Sequence, residues 1–489
     1  MRLPEEEDGL GIEEIAPARS ARKEPGERAG GPAHGEIGTT LNEMMLGEQQ
    51  AHKMGLKEVV AMAVGGMIGG GIFAVLGLVL GISGDAAWLS FLVGGLIAFN
   101  AGDSFNKLFL HYGVGGGIYT YTHLATGRKG LAGFFAWMLI LGYIFTICLY
   151  AFTFGSYVGH YLGWGVGSLG QHLLSTLIIG AFIAINLVGV KEASRWENIL
   201  VYGKLVLISF FAVVLLNVLG LNGIAEGVGK TGEAVGAVGV GAILAGAALI
   251  FVGFEGFQLL TYSVKDIKNA KHNVGRGIYI AIAIVTFAYV VIGFVTPQLL
   301  TPEQILQNKE TVFAVLIEPI LGWVGAILVL VAVIFSTSSA INATMFGTAR
   351  LTATVAESTM IPDRFSEVDK QGIPANAVWG VGLLSMLLVN VTGLEAIAAF
   401  ASVVFIIYFA VIDYLDFMVV RQGWAGKLFT LSGTVFSIFA IVVLFGQLFS
   451  HDLGSLEFVI VLFGALTLLK VVHGVLEERI LSSRKVRKF

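Results

Sequence analysis

Cysteine, proline and charge are all scarce in this chain of 489 residues. Its one cysteine, Cys148, lies inside an apolar run, so no internal disulfide can form. No Cys/His spacing suggests a metal site. Only nine prolines occur. Charged residues make up 13% of the chain, against about 25% in an ordinary soluble domain. Hydrophobic residues reach 56%, and the mean hydropathy is +0.82. This balance excludes collagen, overall disorder and a nucleic-acid-binding protein. The formal net charge of −4 matters less than where the charges lie. What the chain has in excess is glycine, 65 residues, or nearly twice the usual ~7% share. Many glycines with few charges fit closely packed transmembrane helices.

Residues 1–53 differ in kind. They hold Glu5-Glu6-Glu7-Asp8 and Arg22-Lys23-Glu24 among glycines and alanines. They lack the basic start, apolar middle and small-residue exit of a cleavable signal. A disordered cytoplasmic tail is expected there, followed by a membrane domain over 54–489. A lipid core of ~30 Å needs about 20 apolar residues in helix. Twelve runs qualify, near 59–82, 86–110, 131–161, 172–190, 198–218, 238–262, 277–299, 314–346, 376–391, 395–420, 428–449 and 455–476. The third and eighth are long, which implies tilt or extension past the lipid. The runs lack the alternation of barrel strands. Loops on one side carry Arg128, Lys129, Lys191, Arg195, Lys265, Lys268, Lys271, Arg276, Arg364, Lys370, Arg421 and Lys427, with Arg484, Lys485, Arg487 and Lys488 in the tail. Opposite loops offer only Lys230 and Lys309. The positive-inside rule then puts both termini in the cytoplasm of a cell membrane protein.

Two runs should not make continuous helix. The first contains Gly65-Gly66-Met67-Ile68-Gly69-Gly70-Gly71, five glycines in seven residues, each costing up to ~1 kcal/mol against alanine in a helix interior. The sixth contains Val252-Gly253-Phe254-Glu255-Gly256-Phe257, two glycines beside a carboxylate. A broken helix at membrane depth is tolerated where it lines a cavity. Its free N–H groups can hold an anion and its free carbonyls an ammonium group. Close packing through small residues is the plainer explanation of either run alone. Interruptions at corresponding positions of two halves point to an inverted-repeat transporter, with repeats near 58–220 and 236–422 and extra helices over 428–476.

The motifs resemble a known family. Gly66-Met67-Ile68-Gly69-Gly70-Gly71-Ile72-Phe73 looks like the first-helix signature of the amino acid–polyamine–organocation (APC) permeases. Val252 to Phe257, followed by Lys265-Asp266-Ile267-Lys268-Asn269, resembles their sixth helix and next loop. Gly116-Gly117-Ile118-Tyr119-Thr120-Tyr121 resembles the entry to their third helix. Asn342-Ala343-Thr344 through Arg350, then Ile361-Pro362-Asp363-Arg364-Phe365, resembles the end of their eighth. The resemblance implies an all-α membrane protein with a five-plus-five inverted-repeat core, two additional helices and amino acid transport by alternating access. Carried over by position, the N–H groups of Gly70 and Gly71 meet a substrate carboxylate, with Gly69 at the turn. Carbonyls of Met67, Leu249, Ile250 and Val252 meet its amino group. Leucine stands at 249, where relatives often carry an aromatic gate, with Phe251 and Phe254 nearby. Relatives usually show proline where Ala270 and Gly275 stand, and their absence should loosen that segment.

Lys204 lies about seven residues into the fifth run, and an intramembrane lysine is a functional candidate by default. In some members of the family a fifth-helix lysine replaces bound sodium. The resemblance implies an ammonium that bonds the broken first helix near Gly69 and couples protons to transport. Snorkelling to the interface is the alternative. Glu255 either titrates during transport or serves as a fixed acceptor at the second half-helix. Asn342 and Ser336-Thr337-Ser338-Ser339 fit interhelical hydrogen bonding, and Tyr143, Phe145 and Tyr408 are candidates to shape a pocket. The expected function is proton-coupled symport of amino acids, with protons, the bilayer and a small substrate as partners. No nucleotide-binding loop of the Gly-x-x-x-x-Gly-Lys type is evident, so no cofactor is expected. A polyamine or organic-amine carrier on the same fold, and a non-transporting membrane sensor, are the alternatives.

Overall fold

A computed structural model describes residues 53–188, 190–357, 361–369, 372–465 and 468. The proposed tail over 1–53 falls outside them except at Lys53, as do the end of the twelfth run and the basic C-terminal cluster. Among the described residues the regular structure is helical, with one isolated parallel bridge between Met54 and Ile267.

The helices are α1 Leu56–Met67, α2 Gly71–Ser83, α3 Ala87–Tyr112, α4 Ile118–Thr126, α5 Lys129–Tyr161, α6 Leu169–Val188, α7 Val190–Gly229, α8 Thr231–Leu249, α9 Leu259–Tyr262, α10 Ala270–Leu299, α11 Pro302–Gln307, α12 Val312–Glu357, α13 Ala375–Val391, α14 Leu394–Val419 and α15 Trp424–His451. A sixteenth, α16, covers Leu453–Ala465. Nine helical stretches among the described residues are long and apolar enough to cross a membrane, and α13 and α16 are shorter apolar helices. One stretch, Gly71–Tyr112, takes in α2, a 3-10 turn at Gly84–Ala86 and α3, so part of the first run and the second run join in it.

The length of the eighth run has a local cause. Gly322 sits inside α12 at φ 59°, which splits a first piece holding Pro319 from the long second piece. A left-handed φ is readily taken by glycine, which has no Cβ to clash. The segment that lacks the two prolines is not a loose loop. It is the opening of α10, with Gly275 packed against the Asn106 side chain.

Neighbours along the chain do not simply stack. α10 packs chiefly on α3, α12 on α5, and α14 on both α5 and α15. In lipid, apolar burial alone gives little drive to associate, so close packing and hydrogen bonds hold such helices together. The broken helices are enclosed by this frame. Met67, Ile72, Phe73, Ile250, Phe251, Val252 and Phe254 are all at most 2% exposed.

Candidate site at two broken helices

The first break is a change of hydrogen-bond pattern over three residues. The Ile68 N–H still reaches back to the Val64 carbonyl at 2.8 Å, ending α1. Ile68 then turns to φ −80°, ψ 71°, the geometry of an inverse γ-turn. The Gly69 N–H closes that turn on the Met67 carbonyl at 2.9 Å. In a continuous helix it would have bonded the Gly65 carbonyl. Gly65 is thereby left with a free acceptor at membrane depth, and Lys204 takes it. Its Nζ donates to the Gly65 carbonyl at 2.6 Å and to Ser339 Oγ at 2.7 Å. Lys204 is fully buried, so it does not snorkel. It holds the end of α1 to α7 and α12, one turn before the Gly69 turn where the contact was expected. Beyond the break, the N–H groups of Gly70, Gly71 and Ile72 open α2, which has no side-chain cap. First-turn N–H groups have no acceptor within their own helix.

The second break is longer. α8 ends at Leu249, a 3-10 turn covers Ile250–Phe254, and Glu255 is extended at φ −69°, ψ 145°. Gly256 lies at φ 127°, a conformation that favours glycine. Helix resumes for only four residues in α9. Ser402 on α14 pins the start of the break: its hydroxyl donates to the Leu249 carbonyl at 2.7 Å and accepts from the Val252 N–H at 3.2 Å. Gln258 organises the middle. Its Nε2 donates to Glu255 Oε1 at 2.9 Å and lies 3.3 Å from Tyr143 Oη, and its Oε1 accepts from the Gly256 N–H at 2.9 Å. Glu255 is 3% exposed. Its partner is a side chain within the break, and it does not cap α9.

The two breaks meet backbone to backbone. A Cβ on Gly71 would stand 2.9 Å from Gly253 Cα, and one on Gly66 would stand 3.1 Å from the Gly256 carbonyl oxygen. Tyr289 Oη, from α10, lies 3.3 Å from the Met67 carbonyl and 3.2 Å from that of Gly253, spanning both breaks. Tyr150 covers the first break from α5: a Cβ on Gly69 or Gly70 would come within 2.8 Å of its ring. Thr337 Cγ2 of α12 approaches Gly70 as well.

Met67, Gly69, Gly70, Gly71, Leu249, Ile250 and Val252 therefore converge on one buried region. Phe254 does not join them. Its ring turns to Gly94 of α3 and to Tyr289, 5.5 Å between centroids. Two of the carbonyls assigned to a substrate amine, Met67 and Leu249, already accept hydrogen bonds from the protein. Of the aromatic candidates, Tyr143 reaches the second break, whereas Phe145 packs at a tilt against Phe400 and Tyr408 packs on Phe105 and Phe409. Asn342 accepts from Asn186 Nδ2 at 3.1 Å, an interhelical bond. Tyr150, Gln258, Tyr289 and Ser402 escaped the sequence reading. Tyr150, Tyr289 and Ser402 carry no local signal, since each acts on a break far away in sequence, whereas Gln258 lies inside the second break and bonds its neighbours Glu255 and Gly256.

Residues 54–468 match the family model described as amino acid permease. The chain belongs to the amino acid permease family. It is a multi-pass membrane protein, and several of its relatives are named as transporters or permeases. An uncharacterised protein of Methanocaldococcus jannaschii is 27% identical over 379 residues, covering 77% of this chain and 84% of its own. The inner membrane transport protein YbaT of Escherichia coli is 25% identical over 436 residues, 87% and 96% of the two chains. The branched-chain amino acid permease BcaP of Bacillus subtilis is 25% identical over 373 residues, 72% and 77% of the two. The permease match spans both breaks and the lysine that holds the first.

Proposed function

We propose that this permease carries amino acids across the cell membrane by alternating access, coupled to protons, on a core of two inverted five-helix repeats with both termini in the cytoplasm. The reading rests above all on the meeting of two unwound segments at Gly66–Gly256 and Gly71–Gly253. The uncapped N–H groups of Gly70 and Gly71, at the positive end of the α2 dipole, suit a carboxylate. The carbonyls of Ile250 and Val252 and the second lone pair of Leu249 suit an ammonium group. A zwitterion of amino acid size presents both charges to one such region. Tyr150 would close over it from α5.

Lys204 carries the coupling in this reading. As an ammonium it has three protons to donate, two of which are held by Gly65 and Ser339. A charge-assisted bond of this kind contributes about 1.5–3 kcal/mol. Loss of the proton weakens the hold on α1 and frees that half-helix to move. Coupling follows if substrate and proton favour the same closed arrangement. The variant Lys204→Ala, reconstituted in proteoliposomes, is expected to lose the dependence of uptake on an imposed pH gradient while still exchanging substrate. Full pH-driven accumulation by the variant would overturn the assignment. In the same vesicles neutral amino acids should compete better than diamines. The opposite order would shift the substrate class to polyamines, with Glu255 as the countercharge.

A further inference from the structure

A second polar cluster is buried well away from the breaks. It lies where α3, α10, α14 and α15 approach one another, and Asp413 of α14 is at its centre. Asp413 is fully buried, and among the described residues its carboxyl has no cation in contact and only the Ser104 hydroxyl as a nearby donor. Asn100 of α3 is 5% exposed. Its Nδ2 donates to the Phe429 carbonyl at 2.8 Å, which fixes the amide orientation and leaves Oδ1 without a partner. Both Asn100 Oδ1 and Asp413 Oδ2 crowd the point where a Cβ on Gly433 would stand. Two acceptor oxygens thus crowd one point beside Gly433 of α15, with no polar hydrogen assigned between them.

The surrounding charges do not resolve this. Lys107 of α3 is the cation of the cluster. Its Nζ is 2.6 Å from Asp103 Oδ2, 3.8 Å from Asp416 Oδ2 and 3.0 Å from Gln422 Oε1. Asp103 also accepts from Tyr279 Oη of α10 at 2.8 Å. Asp416, on the same helix as Asp413, accepts from Thr430 of α15 at 2.9 Å and from Gln422 at 3.0 Å. The Ser104 hydroxyl of α3, also buried, lies beside Asp413 as a neutral donor and brings no countercharge. Two of the three carboxylates, Asp103 and Asp416, lie within 4 Å of the one ammonium, and Asp413 makes no ion pair with it. A buried carboxylate without a countercharge is costly, and so are two buried acceptors with no polar hydrogen between them.

We propose that Asp413 is a proton-binding site, its carboxyl holding a proton that it donates to Asn100 Oδ1. The site is distinct from Lys204 and does not depend on which solute the permease carries. It sits on the helix whose Ser402 pins the second break, 11 residues or about three turns away.

Infrared difference spectra of the full chain in nanodiscs, between neutral and alkaline pH, test this directly. Wild-type protein should show a protonated carboxyl band at neutral pH that is missing from Asp413→Asn and kept in Asp416→Asn. Asn100→Ala, which leaves Asp413 in place, should move that band because the acid has lost its acceptor, and it serves if Asp413→Asn does not fold. Absence of the band from wild type, its survival in Asp413→Asn, or an unmoved band in Asn100→Ala would each overturn the proposal. The first of these would leave the acceptor pair to a monovalent cation. Because the readout is spectroscopic, loss of transport in any variant does not decide it.

Discussion

Gly253 and Gly256 stand three residues apart in the same unwound segment, yet alanine should have opposite consequences at the two positions. At Gly256 a Cβ would overlap the Gly66 carbonyl carbon and come within 2.6 Å of Met67 N. Both are backbone atoms of the facing break, and neither can step aside alone. Overpacking of this kind costs about 1–3 kcal/mol, and forcing a non-glycine residue to a φ of 127° costs about 1–3 kcal/mol more. A penalty of about 4 kcal/mol lowers the population of the closely packed breaks about a thousandfold. At Gly253 the Cβ would meet Ile250 Cδ1 at 3.2 Å and Tyr289 Cε2 at 3.6 Å. Only the tip of a flexible side chain must yield, at a cost under about 1 kcal/mol. Uptake of a labelled amino acid into proteoliposomes, at equal reconstituted protein and with monodisperse size-exclusion profiles, should fall to background for Gly256→Ala and stay near wild type for Gly253→Ala. Near-normal uptake by Gly256→Ala would mean that the breaks need not touch during transport. Equal damage at both positions would mean that the effect is glycine loss in general and not the backbone contact.

Two other changes probe the supports of the site. Ser402→Ala removes the bonds to the Leu249 carbonyl and the Val252 N–H, worth about 0.5–1.5 kcal/mol each. Substrate affinity should fall more than folding stability, and unchanged binding would show that α14 does not hold the second break. Glu395→Gln breaks the ion pair with Lys309. Burial alone would lower the Lys309 value, but the Glu395 hydrogen bond and charge outweigh it, so the amine is held above its ordinary value. A raised value means that the pair stabilises at neutral pH and that the contribution is lost as pH rises through the folded value. Both side chains are more than a third exposed, so the loss should be under about 1 kcal/mol. Melting curves should separate variant from wild type at neutral pH and converge above the ordinary lysine range, and a gap that persists there would refute the pairing.

The breaks were legible because glycine density is a local property, written into residues 65–71 and 253–256. Lys204 was legible because an ammonium in an apolar run is rare. Its true acceptor was not, since it depends on which carbonyl the Ile68 turn sets free. The extent of the second half-helix was also missed: Leu259–Tyr262 is four residues long because Gln258 bonds Glu255 and Gly256 and keeps the preceding turn open. The excess length of the eighth run hid a kink, since one left-handed glycine among many leaves no mark on hydropathy. Tyr150 lies in a run with Tyr143, Phe145, Phe152 and Phe154, and only packing against Gly69 and Gly70 distinguishes it. Asp413 lay near a run end in sequence, where a carboxylate ordinarily reaches water. Its burial comes from α3 and α15 closing over it, which no single run can reveal.

The supports of the two breaks divide between different helices, and this bears on how the site would move. The first break is held by Lys204 of α7 and Ser339 of α12. The second is held by Ser402 of α14 and, through Gln258, by Tyr143 of α5. Tyr289 alone among the hydrogen bonds described above reaches both, and its hydroxyl has one proton for two carbonyls. Lys204 anchors the first break as a charged donor and Ser402 anchors the second with two bonds, whereas the bond between breaks is single, neutral and long. On that balance the breaks should part from each other before either leaves its frame. Tyr289→Phe should therefore speed the exchange of bound substrate while leaving the pH dependence assigned to Lys204 in place. Loss of pH dependence in Tyr289→Phe would mean instead that the two breaks and their frames move as one body.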